Sequence, residues 1–276
     1  MFDELRLKFF KSGSPAMLYI GINALIFIIG GLLAVVFAFS GQKGWVDFQI
    51  HEYFAFPATL ASLPTRFYTI LTYQFFHAGF FHILFNMIWL YWIGQIFLDF
   101  LKPRQFHFVY LGGGIFGALA FLLLFNVVPA FSMQRATVIG SSACVMAILA
   151  STATLVPDYN IRLLLIGNLK LKYLILAYVI LDVMSSAGEN AGGSIAHLGG
   201  ALFGFLYIKL LQNGMDWSAI WKRKPKLKVV KNSSPKRSET TVNQKEVDAI
   251  LDKISKSGYD QLTKEEKETL FKASKN

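Results

Sequence analysis

Ser142 stands in Gly140-Ser141-Ser142-Ala143, at the mouth of the apolar run Cys144 to Val156. His197 stands in Ser194-Ile195-Ala196-His197-Leu198-Gly199-Gly200, at the mouth of another. A histidine near the hydrocarbon is costly and marks a functional site by default. A serine on a facing helix makes the chemistry specific: a nucleophile beside a base, inside a membrane. His77, His82 and Asn86 open a third apolar block. His82 and Asn86 are four residues apart and share a helical face. Both donate hydrogen bonds, as a developing oxyanion requires, and a low-dielectric cavity raises the value of such donors.

The elements that must position these groups are membrane helices. The chain has 276 residues, 54% of them hydrophobic, and a mean hydropathy of +0.45. That is too apolar for one soluble domain of this length. The apolar residues come in long blocks, read here as six spans: Met17 to Phe39, Gly79 to Phe100, Phe106 to Val128, Ser142 to Val156, Leu169 to Met184 and Ser194 to Leu211. The fold class expected is all-α, a polytopic six-helix membrane bundle over 17–212. It is preceded by a cytoplasmic N-terminus (1–16) and followed by a basic linker (213–242) and a helical hairpin tail (243–276). A short charged N-terminus leads into the first span without a signal-peptide pattern. The single Cys144 excludes an intrachain disulfide and offers no metal cluster, so no metal and no cofactor is expected.

The net charge is +10, concentrated after Leu211. In a membrane protein this is first a topology signal, and no nucleic-acid partner is expected. Arg6, Lys8 and Lys11 precede the first span, Lys102 and Arg104 follow the second, and Arg162, Lys170 and Lys172 follow the fourth. Lys222, Arg223, Lys224, Lys226, Lys228 and Lys231 follow the sixth, whereas the opposite side carries only Lys43, Arg66 and Arg135. Both termini are therefore expected in the cytoplasm. Every even-numbered span then starts on the outer side, which places His77, His82 and Asn86, Ser141 and Ser142, and His197 at one depth. The fourth span is short of the roughly 20 residues a crossing needs. Ser142 should then sit at the floor of a cavity that water can enter.

Gly200 and Gly204 form one small-residue face, and Ala143, Ala147 and Ser151 another. Such faces let the fourth and sixth helices approach closely enough for a serine–histidine contact. Asn23 in the first span reads as interhelical glue, and Gly113 to Gly117 as packing. Asp182 lies in the outer half of the fifth span, with nothing in the sequence tying it to His197, so the reading is a dyad with Asp182 as a structural hydrogen-bond partner. The aromatic-rich loop Ser40 to Ala78 is expected to be partly embedded. In the tail, Val247, Ile250, Leu251 and Ile254 share a face, Gly258 is a helix stop, and Thr263-Lys264-Glu265-Glu266 fits a capping box. A solvated tail or weak interaction module, with room for a cytoplasmic partner, is the preferred reading of that hairpin.

These residues together resemble the rhomboid family of intramembrane serine proteases. The motifs are His82-Ile83-Leu84-Phe85-Asn86, Gly140-Ser141-Ser142-Ala143, and Ala196-His197-Leu198-Gly199-Gly200-Ala201-Leu202-Phe203-Gly204. Each alone is weak; all three in order, on the matching helices, are specific, and the resemblance covers about Met17 to Leu211. It implies Ser142 as nucleophile and His197 as general base and then acid. It implies an oxyanion hole of His82, Asn86 and the Ser142 N–H, with Gly140, His77, Gly200 and Gly204 in support. Substrates would be single-span membrane proteins cut near the outer face, and a bacterial plasma membrane would be the setting. The sequence departs from the family at Ala143, at Met146 where an aromatic commonly stacks on the histidine, and at Tyr68-Thr69 where a Trp-Arg pair is common. Two other readings compete: an inactive relative that binds membrane-protein clients, and a proton-coupled transporter. The latter predicts polar groups on both sides of the midplane.

Overall fold

In the computed structural model the described residues are 13–131, 136–163, 167–221 and 243–274. Arg6, Lys8, Lys11, Arg135 and the cations from Lys222 to Lys231, on which the expected orientation partly rests, lie outside them, as does most of the expected linker. The chain divides into two compact units, Met1–Arg223 and Lys224–Asn276.

The first unit is an all-α, polytopic membrane bundle. Its helices are α1 (Pro15–Phe39), α2 (Trp45–Tyr53), α3 (Leu63–Arg66), α4 (Thr69–Thr72), α5 (Phe80–Phe100), α6 (Pro103–Val127), α7 (Ser142–Leu155), α8 (Leu171–Ser185) and α9 (Ala191–Gln212). By length and composition α1, α5, α6 and α9 can each cross a membrane. The α7 helix has 14 residues and α8 has 15. Helix starts follow local chemistry. Pro15 and Pro103 occupy first-turn positions, where a missing N–H costs nothing. The Gln105 side chain accepts the Lys102 N–H at 2.8 Å. Pro157 closes α7, because the residue before a proline is pushed out of the helical region.

The α7 helix is the axis of the bundle: its residues Ala143 to Ala153 are all buried. Glycines bring its neighbours to backbone contact. A Cβ on Gly200 would lie 2.1 Å from the Ala143 carbonyl oxygen, and one on Gly204 would lie 2.2 Å from that of Ala147. From the other side, a Cβ on Gly113 would meet the Ala147 methyl at 2.2 Å. One on Gly117 would meet the Ala196 carbonyl oxygen at 2.6 Å and the Ala143 methyl at 2.8 Å. The methyl that distinguishes Ala143 from glycine thus occupies space that Gly117 leaves empty. Asn23 joins helices as expected of it, donating to the Tyr19 carbonyl at 2.8 Å and to the Tyr110 hydroxyl at 3.2 Å. Outward, α1 exposes Leu25, Ile28, Ile29, Leu32, Leu33, Val35 and Val36, an apolar surface suited to lipid.

Two small antiparallel sheets lie between the helices of this all-α bundle. In the first, β1 (Phe56–Pro57) pairs with β2 (Thr137–Val138), Phe56 opposite Val138. In the second, β3 (Asn160–Leu163) pairs with β4 (Gly167–Lys170) between α7 and α8. Leu169 and Lys170 therefore belong to a strand, and the fifth helix starts at Leu171 rather than at Leu169. The loop Ser40 to Ala78 is ordered around Arg66. Its guanidinium donates to the His51 carbonyl at 2.9 Å and the Ala55 carbonyl at 3.4 Å, and lies 3.7 Å from Glu52. A cation of this loop thus binds its backbone although the Trp-Arg pair is absent.

The second unit contains α10 (Gln244–Ser257) and α11 (Lys264–Ala273). Gly258 ends α10 with φ +83°, a conformation that favours glycine. The Thr263 hydroxyl accepts the Glu266 N–H and the Glu266 carboxylate accepts the Thr263 N–H, the expected capping box. Lys253 bridges the two helices, its ammonium 2.8 and 2.9 Å from the Glu266 oxygens. Val247 and Ile250 are buried, whereas Leu251 at the edge of the same face is exposed.

Candidate active site

Ser142 is the first residue of α7, and the turn before it is held from several sides. The Gly140 N–H donates to the Tyr73 carbonyl at 2.9 Å, and the Tyr73 hydroxyl donates to the Gly114 carbonyl at 2.6 Å. Gly140 itself has φ +128°, which side chains rarely tolerate. The pairing of β1 with β2 fixes the approach to this turn. The two serines consequently face different surroundings. Ser141 is fully buried and its hydroxyl lies 3.1 Å from His77 Nε2. Ser142 is half-buried and opens to a cavity of about 1000 Å³. Geometry selects Ser142 as the serine a substrate can reach.

His77 is a buried support for that turn. Burial, with His82 beside it, pushes its pKa down to about 3, so the ring is neutral at neutral pH.

The same cavity is lined by His82, Asn86 and His197. The α5 helix supplies the first two. The His82 imidazole lies against the bare face of Gly140: a Cβ there would be 2.8 Å from both Cε1 and Nε2. His82 Nδ1 accepts the Ala78 N–H at 3.4 Å. That places its proton on Nε2, which makes Nε2 a donor beside Ser142. Asn86 spends one N–H on the His82 carbonyl at 2.8 Å, leaving its second amide hydrogen for a ligand. The N-terminus of α7 adds unsatisfied backbone N–H groups and the positive end of a helix dipole. Together these are donors around a point where an oxyanion could form.

His197 lies on α9, one turn before Gly200, on the face that glycine presses against Ala143. Ser142 and His197 open to one cavity but make no hydrogen bond to each other among the described residues. In ligand-free sites such bonds are commonly loose and tighten on substrate. His197 Nδ1 instead lies 2.9 Å from Asp182 Oδ1. The sequence reading made Asp182 a structural hydrogen-bond partner without tying it to a particular group, and the group it meets is His197. The depth argument that grouped the other polar residues also applies to Asp182, since an odd-numbered span ends where an even one begins. Met146 is buried and lines the cavity, so no ring stacks on His197 from that position.

The expected set of Ser142, His197, His82 and Asn86 is thus gathered at one cavity, with Gly140 and His77 at the turn before Ser142 and Gly200 and Gly204 at the contact of α9 with α7. Residues that sequence reasoning missed are Thr137, Asn190 and Tyr178. Tyr178 meets Trp89 edge to face at 5.8 Å, and with Phe81, Phe85 and Trp92 these rings make the cavity wall apolar. Among the described residues no group of three or more His, Cys, Asp or Glu could hold a metal ion.

Comparison with known proteins places the chain in a family. The chain is 28% identical over 180 residues to "Presenilin-associated rhomboid-like protein A, mitochondrial" of Danio rerio, covering 63% of this chain and 45% of that protein. It is 28% identical over 183 residues to "Presenilin-associated rhomboid-like protein, mitochondrial" of Bos taurus and 27% over 183 residues to the Homo sapiens protein of that name. Those matches cover 61% of this chain and 44% of each relative, so the chain spans under half the length of these proteins. Residues 237–276 match a family of unknown function, DUF6576. Residues 64–213, more than half of the chain, match the model of the Rhomboid domain. Every helix bearing a cavity-lining polar group named above falls within that match, and the chain belongs to the rhomboid family.

Proposed function

We propose that this integral membrane protein is an intramembrane serine endopeptidase acting on transmembrane segments of single-span membrane proteins. The observation that carries the reading is the convergence of Ser142, His197, His82 and Asn86 on one cavity with apolar walls. The apolar wall suits a peptide leaving a bilayer, and the polar floor suits hydrolysis. Ser142 Oγ attacks the scissile carbonyl carbon as its proton passes to His197 Nε2. The carbonyl oxygen becomes an oxyanion held by His82 Nε2–H, the free Asn86 amide hydrogen and the backbone N–H groups at the start of α7. His197 then returns the proton to the leaving amine nitrogen as the C–N bond breaks. Water, activated by His197, hydrolyses the resulting ester and restores Ser142.

The missing Ser142–His197 bond and the word "rhomboid-like" in the relatives' names favour one second reading, an inactive client-binding relative. Reconstitution with a generic single-span substrate, with a fluorophosphonate probe alongside, separates the two. Cleavage and labelling in the wild type, both lost in Ser142→Ala, are expected of the protease. A wild type that binds substrate but neither cleaves nor labels would establish the second reading. For topology we propose both termini on the side where Lys and Arg accumulate. We propose a bacterial plasma membrane as the host. The relatives' names place those proteins in mitochondria, and fractionation of the source cells distinguishes the two settings.

A further inference from the structure

Asp182 sits among exposed apolar residues of α8: Ile180, Leu181, Val183 and Met184. The carboxylate itself is buried, with Oδ1 2.9 Å from His197 Nδ1 and Oδ2 without a hydrogen-bond partner among the described residues. A buried carboxylate with an unsatisfied oxygen is expensive. In an apolar helix such a group is retained for what it does to its partner. Among the described residues the Asp182 carboxylate has one hydrogen-bonding partner, the imidazole of His197. We propose that Asp182 is a positioning residue that holds His197 as the Nδ1–H tautomer, so that this site works as a serine–histidine–aspartate triad. The inference rests on the protease reading above and deepens it.

The chemistry follows from the two ring nitrogens. With the Asp182 carboxylate as acceptor, Nδ1 carries the proton and Nε2 presents its lone pair to the cavity, the arrangement a general base for Ser142 needs. When Nε2 takes the serine proton, the adjacent carboxylate stabilises the imidazolium without itself accepting a proton. The contact also restrains the ring. Met146 offers no aromatic face at the fourth position after Ser142, and Asp182 supplies orientation through its contact with Nδ1. Because the contact joins α8 to α9, the base is aligned only when these helices are docked.

The test compares wild type with Asp182→Asn, Asp182→Glu and His197→Ala in detergent or lipid. It reads kcat, KM, fluorophosphonate labelling and the ¹⁵N spectrum of histidine-labelled protein, with His197→Ala assigning the His197 signals. The wild type should show His197 as Nδ1–H, and Asp182→Asn should shift it toward Nε2–H. The same change should lower kcat on the order of 10²–10⁴-fold with KM unchanged, and slow labelling in parallel. Asp182→Glu, which keeps the charge, should recover part of both. Unchanged kcat in Asp182→Asn, or a lost kcat with an unaltered His197 spectrum, would overturn the proposal. An inactive wild type would remove the protease reading, while the spectrum would still decide whether Asp182 sets the tautomer.

Discussion

Gly140 combines a φ of +128° with a histidine ring lying where a side chain would be. A single methyl there meets both penalties at once, steric and conformational. Gly140→Ala should therefore lower cleavage far more than it lowers the melting temperature, because the ring it displaces belongs to His82. A variant with wild-type turnover would detach His82 from the site. His82→Ala and Asn86→Ala should each reduce kcat on the order of 10²–10³-fold if both donors reach the oxyanion, measured on the same substrate. Ser141→Ala removes a buried hydroxyl from His77, so its effect should be read in stability, with cleavage largely retained. These contrasts follow from local surroundings, since Ser141 and Ser142 are chemically identical and adjacent in sequence.

At the level of elements, α7 and α9 touch through backbone where Gly200 and Gly204 lack side chains. Gly200→Val places branched carbon against the Ala143 carbonyl, which no rotamer relieves, and overpacking of this kind costs about 1–3 kcal/mol or more. The expected outcome is a lower unfolding temperature together with lost cleavage, because His197 moves with α9. Much of this was legible in the sequence. Long apolar blocks with polar residues at their mouths gave the helices and the set of residues that meet. The small-residue spacings identified the close face. What was not legible depended on rotation and on short pairings. Asp182 reaches His197 only because α8 is turned toward α9, and no spacing within one segment encodes that turn. The hairpin β3–β4 is four residues per strand and includes Arg162 and Lys170, so its apolar positions merged with those of α8. In the sequence Arg66 is one of three outer-side cations, yet its value lies in carbonyls 11 and 15 residues away.

The whole molecule joins a membrane unit to a tail unit that carries its own caps and its own buried residues, Val247, Ile250 and Leu262. Thr263→Ala should cost the tail about 1 kcal/mol through the lost cap, visible as loss of helicity in an isolated tail peptide, with cleavage by the full chain unchanged. Deleting residues 243–276 should likewise leave cleavage in detergent intact; a dead truncated enzyme would make the tail part of the machinery. The pairing of Phe56 with Val138 has a consequence for biosynthesis. It closes the chain across all of α5 and α6, and long-range pairings of this kind form late. The turn before Ser142 cannot be set until both helices have been inserted, and His197 arrives only with α9. A half-made chain in the membrane therefore holds Ser142 without His197. On the protease reading proposed above, competence switches on only once α9 is in place, which would spare neighbouring proteins while the chain is still being made.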